Sequence, residues 1–120
     1  MSTRREYYVS LAEKLGVPQE IEAVSIQALI ERSPRRNLYE VVVAMSRRAE
    51  QILTELTQEL RDKLNELNKY EEVAIRDPKQ VEMLREETQN WVRLYRSLPK
   101  PSLIALWEKL EEPPVPPATP

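Results

Sequence analysis

An all-α fold is predicted by three features of this 120-residue sequence. There is one glycine, whereas a β sandwich or barrel needs many tight turns. Glu, Leu, Arg and Ala are abundant, and these residues suit helices. The long stretch between Pro34 and Pro78 contains neither Gly nor Pro and carries apolar residues mostly at three- and four-residue steps. The length fits one domain with a modest core.

Prolines and caps mark out the elements in order. Thr3 and Glu6 have capping-box spacing, Gly16 follows Leu15 where a helix would end, and Pro18 lies just beyond, so residues 4–15 are predicted as a short first helix. Ser25 is an N-cap for IQALIER, whose Ile26, Leu29 and Ile30 share a face. Ser33-Pro34 stops that helix, because the residue before proline avoids the helical region.

The next stretch, NLYEVVVAMSRRAEQI at 37–52, sets three β-branched valines against a run of good helix formers. Asn37 and Glu40 have the spacing of a reciprocal capping box, which belongs at the front of a helix. Behind it Val42, Ala49, Leu53, Leu56, Leu60, Leu64 and Leu67 continue the helical period. A single helix from Leu38 to about Lys69 is therefore predicted, with Val41–Met45 as fully buried first turns covered on more than one side.

Asp77-Pro78 starts a further helix with Pro in the favoured first position, and Val81, Leu84, Thr88, Trp91 and Tyr95 mark its inner stripe. LPKP at 98–101 breaks it, and Ser102 caps a last short helix bearing Leu103, Leu106, Trp107 and Leu110. The tail PPVPPATP holds five of the ten prolines and is expected to be extended and disordered. The chain thus divides into an N-terminal extension (1–23), a helical domain (24–112) and a Pro-rich tail (113–120). No internal repeat is present.

Composition excludes much chemistry. There is no Cys and no His, which removes disulfides, thiol catalysis, zinc sites of the usual kind and the commonest general base. One glycine cannot make a phosphate-cradling loop. Glu71-Glu72 and Glu86-Glu87 are adjacent residues on helices and diverge by roughly 100°, so neither pair forms a shared acid/base site. Ser46 and Ser102 have no histidine to activate them. The reading is a chain that is not an enzyme by itself and has no cofactor. No apolar run reaches the roughly 20 residues that span a bilayer. The start MSTRREYYVS lacks the apolar core of a signal peptide, and a cytoplasmic location with no membrane partner is expected.

Net charge is −2, unlike the basic balance of a dedicated nucleic-acid binder. Locally, Arg32, Arg35, Arg36, Arg47 and Arg48 fall within 17 residues, opposed only by Glu40. The Arg47-Arg48 pair has three readings: ordinary surface charge, contact with nucleic acid, or docking to carboxylates and carbonyls of a protein, for which the planar guanidinium gives directional bonds. The leucine stripe from 49 to 67 is a core face or a two-helix seam. Trp91 and Trp107 read as core or interface anchors, since a base-stacking platform comes as several aromatics among basic residues.

The stretch at 37–52 resembles the signature helix of the omega subunit of bacterial DNA-directed RNA polymerase, a family related to the archaeal K subunit. The pattern of an Asn, an aromatic, an acid, an aliphatic run and an Arg-Ala-x-Gln ending falls on Asn37, Tyr39, Glu40, Val41, Val42, Val43, Arg47, Arg48, Ala49 and Gln51. VSIQALIER is similar to the family's first short helix. PKPSLIALWEKLEE resembles its closing helix, with Ser102, Ile104, Ala105, Leu106 and Glu108 in order. The chain is most similar to a lengthened omega-like form. The match covers 24–52 and 98–112, with 53–97 similar in architecture only.

The resemblance implies a non-catalytic subunit that docks on the β′-type large subunit, promotes core assembly and stability, touches DNA only through the complex, and is nucleoid-associated through the polymerase. It implies partner contacts at Asn37, Tyr39, Glu40, Val42, Val43, Arg47, Arg48, Ala49, Gln51, Ser102, Ile104, Ala105, Leu106 and Trp107. The alternatives are a free-standing helical adaptor dimerising through its leucine seam, and a small DNA-binding transcription factor using Arg32–Arg48.

Overall fold

A computed structural model describes residues 3–20, 22–74 and 77–116. The described residues form five helices and no strand, so the all-α prediction holds: α1 (Arg4–Leu15), α2 (Ile26–Ile30), α3 (Leu38–Ala74), α4 (Pro78–Arg96) and α5 (Pro101–Glu111). The molecule measures 72 × 25 × 23 Å. At about 1.5 Å per residue α3 alone spans roughly 55 Å, and it is the spine.

The most extensive packing is of α4 and α5 on α3. α4 runs back along the distal half, with Trp91 beside Lys63 and Tyr95 bonded to Glu59. At Ser97–Lys100 the chain bends, and α5 continues back along the proximal half, reaching Arg48 through Glu108. α1 lies across the junction. Tyr8, Ala12, Ile52, Leu56, Tyr95, Leu98 and Ile104 form the main core there. Tyr8, Ile52 and Ile104 are wholly buried. The 1–23 segment is therefore not a mere extension, because its helix supplies two core residues.

Several local expectations are met. Thr3 and Glu6 form the capping box, Gly16 closes α1 in the left-handed region at φ 67°, and Ser25 caps α2. Asp77 caps α4, with Pro78 in the first turn.

Others are corrected. α3 extends to Ala74 rather than Lys69, since nothing between Lys69 and Pro78 breaks a helix. Only half of its expected capping box exists. Asn37 Oδ1 accepts from the Tyr39 N–H (2.9 Å), but Glu40 turns back to Ser33 and Arg35. Ser102 does not cap α5; Lys100 stands at the cap without a side-chain bond and Pro101 begins the helix. The pre-set φ of Pro101 does the starting. Of the valines only Val41 is buried, while Val42 is 43% exposed and Val43 intermediate. Ile26 is 59% exposed although Leu29 beside it is buried. The front of the tail is also held, because the Val115 N–H donates to Glu31 O (2.8 Å). The expectation of disorder for residues 117–120 lies outside the described residues.

Candidate docking face

The turn joining α2 to α3 is tightly specified. Ser33 is 2% exposed; its hydroxyl accepts from the Asn37 N–H (3.3 Å) and donates to Glu40 Oε2 (3.1 Å). Arg36 sits at φ 54°, a left-handed conformation that costs a non-glycine residue about 1 kcal/mol or more. Its guanidinium compensates by donating to the carbonyls of Glu31 (2.9 Å) and Ser33 (3.1 Å).

The arginine cluster then separates by role. Arg32 donates to Ala28 O, Leu110 O and Glu112 O at 2.7, 3.0 and 3.1 Å, so it ties α2 to the carbonyl end of α5. Arg48 makes a bidentate pair with Glu108 (2.8 and 3.1 Å) and donates to Gln51 Oε1 (3.0 Å). Its guanidinium carbon lies 5.7 Å from the centre of the Tyr8 ring. The Glu108 carboxylate, by accepting those bonds, raises the Arg48 pKa further above its ordinary value. Arg35 is an exposed partner of Glu40 (3.3 Å). Arg47 is exposed and makes no hydrogen bond or ion pair among the described residues.

Arg47 and Arg48 therefore point to different sides, as adjacent helical residues must. Arg48 belongs to the fold. Arg47 rims an outward stripe formed by Tyr39 (74% exposed), Val42 and Ser46, with half-buried Val43 and Ala49 at its margins.

The partner contacts expected from sequence divide accordingly. Tyr39, Val42, Arg47 and Asn37 are all exposed, with Val42 and Arg47 on opposite edges of the Tyr39 stripe. Ile104 (0% exposed) and Ala105 (2%) are not accessible; both are buried within this chain, Ile104 in the main core. Glu40 and Gln51 are held in internal bonds, Gln51 also donating to Glu55 (3.3 Å). Leu106 and Trp107 are half-buried on α5, and Ser102 is exposed.

Two carboxylates of α3 were not singled out by sequence reading. Glu55 accepts from the Tyr8 hydroxyl and pairs with Arg4 (3.0 Å). Glu59 accepts from the Tyr95 hydroxyl and from the backbone N–H groups of Arg4 (2.6 Å) and Arg5 (3.1 Å). These two acids anchor the N-terminus of α1, where negative charge is favoured. The bond from Tyr8 chiefly holds the Glu55 carboxyl below its usual range. For Glu59, burial alone would raise the pKa, but the bonds from Tyr95 and the α1 backbone outweigh it, and the net direction is down. The Tyr8 and Tyr95 hydroxyls shift up, burial first and their carboxylate acceptors second. A signal existed in the sequence. Glu55 and Glu59 stand at i,i+4, where like charges repel unless each has a partner elsewhere.

Among the described residues no group of acidic side chains is arranged to hold a metal ion, and no helix is long and apolar enough to cross a membrane. The fold and this face define an all-α protein built on one long helix, with an accessible apolar stripe edged by a free arginine. Comparisons with protein families, with characterised proteins and with solved structures returned no match to this chain.

Proposed function

We propose that this chain is an omega-like, non-catalytic subunit of a DNA-directed RNA polymerase, docking on the β′-type large subunit and assisting its assembly into the core enzyme. One observation carries the reading. The two stretches that resemble the family, 24–52 and 98–112, are distant in sequence yet pack on each other through Arg48–Glu108 and through Arg32 on the end of α5. Residues that resemble one family's motifs thus form one unit, with Tyr39, Val42 and Arg47 left on its outside. An apolar centre with an aromatic and an arginine is the usual make-up of a protein interface.

The DNA-binding alternative is weakened by the same geometry, because Arg32, Arg36 and Arg48 direct their donors into the chain. The leucine-seam dimer is weakened too, since Leu56 is buried and Leu60, Leu64 and Leu67 are half-buried on the helix that α4 packs against. The test is to purify the tagged chain from its own cells and identify what accompanies it. The β′-type subunit is expected with the wild type and lost with Tyr39→Ala/Arg47→Glu. Its absence from the wild-type preparation would overturn the proposal.

A further inference from the structure

A second surface lies about 27 Å along α3 from Tyr39, reckoned from Tyr39 to Thr57 at roughly 1.5 Å per residue. Where α4 hands over to α5, the chain leaves a groove of about 370 Å³. Leu56, Tyr95 and Leu98 form its buried floor; Leu53, 55% exposed, and the half-buried Leu60 form one wall, and the turn from Pro99 to Pro101 forms the other. Its two charged lining residues are Arg96 and Lys100. Both are exposed, and neither side chain makes a hydrogen bond or ion pair among the described residues.

Arg4, Arg32, Arg35, Arg36 and Arg48 have partners within the chain, whereas Arg47, like these two cations, has none among the described residues. Around this groove two cations edge an apolar trough without one carboxylate in its lining. Such a rim favours a ligand that is apolar at its centre and acidic at its edge, and it disfavours a basic one by like-charge repulsion. The groove's walls are a helix and a proline turn, whose shapes are set before anything binds.

We propose that this groove receives a short amphipathic helix from a partner protein, with leucine-like anchors at three- and four-residue spacing and Asp or Glu beside them. The helix lays its apolar side on Leu53 and Leu60, and its carboxylates meet Arg96 and Lys100. This is helix-in-groove recognition. It does not depend on the polymerase reading, whose face is Tyr39, Val42 and Arg47.

The test uses a phage-displayed random library of short helix-forming peptides, selected on the immobilised full chain. Thr57→Trp, which fills the groove from an exposed position, serves for counter-selection, and circular dichroism checks that it stays helical. Enriched peptides are expected to carry Leu, Ile or Phe at helical spacing with acidic flanks. A synthetic copy should lose binding to Thr57→Trp and weaken about tenfold on Arg96→Glu/Lys100→Glu. The charge variant keeps the proposal testable should Thr57→Trp fail to fold. No enrichment over Thr57→Trp, enrichment of neutral or basic peptides, or binding indifferent to the charge reversal would each overturn it. So would self-association of the chain that Thr57→Trp abolishes, because the occupant would then be a second copy. Capture of the β′-type subunit should be unchanged in Thr57→Trp, so the two proposals fail separately.

Discussion

Replacing Ile104 and Tyr39 by alanine, one at a time, separates core from docking face. Ile104 is fully enclosed among Tyr8, Ile52, Leu56 and Leu98, contributed by α1, α3 and the turn before α5. Truncating a buried Ile to Ala removes its transfer free energy and leaves a cavity that the surroundings only partly close, costing about 2–5 kcal/mol. The upper half of that range is expected, because elements from three parts of the chain meet at the site and cannot all shift inward together. At about 4 °C per kcal/mol for a chain of this size, the melting temperature should fall by roughly 14–20 °C. Tyr39 is 74% exposed, so its loss should change stability by no more than about 0.5 kcal/mol. Thermal unfolding followed by circular dichroism reads both. Equal and small shifts for the two variants would refute the placement of Ile104 in the core and return it to a partner contact. Large-subunit capture at a temperature where both remain folded should be reduced by Tyr39→Ala and retained by Ile104→Ala.

Three further outcomes are expected. Arg47→Glu should leave the unfolding midpoint unchanged while reducing large-subunit capture, whereas Arg48→Glu places a carboxylate against Glu108 and should lower the midpoint in urea titration. Glu55 and Glu59 have folded pKa values below their ordinary ones, so their stabilising effect is complete above the unfolded carboxylate range and is lost as pH falls through the lowered values. Urea midpoints measured from pH 6 downward should thus drop below about pH 4.5 in the wild type, and less steeply in Glu55→Gln/Glu59→Gln. Deleting residues 113–120 removes the Val115–Glu31 bond and should cost about 0.5–1.5 kcal/mol by chemical unfolding, with large-subunit capture intact.

Elements that depend on local chemistry were legible in the sequence. Thr3 with Glu6, Gly16, Ser25 and Asp77-Pro78 act within a few residues of themselves, and each does in the structure what its spacing predicts. The valine run is helical, because the Asn37 cap and a 3.6-residue period outweigh β-branched propensity. What sequence could not resolve was which apolar and charged residues face inward. Ile104 and Ala105 look like docking residues when only α5 is considered, and the packing of Tyr8 and Ala12 from α1 with Ile104 is a contact across more than ninety positions. Glu40 has the spacing of a capping box, but the buried Ser33 hydroxyl takes both ends of it, donating to Glu40 and accepting from the Asn37 N–H. Ser102 lost its cap to a proline one residue earlier.

The arginine pair shows how a single motif serves two ends. On a helix the two side chains are turned by roughly 100°. If Arg48 is to reach Glu108 on α5, Arg47 must emerge one turn beyond Val43, at the edge of the stripe that Tyr39 occupies. The internal pair then fixes the orientation of α3, and so also fixes where the outward arginine stands. A lysine at 48 would keep the charge but lose the two-pronged bond. It should therefore let α3 roll relative to α5 and weaken docking at Tyr39 without touching that face. A double reversal of both arginines mixes the two effects and cannot tell docking from folding; the single changes can.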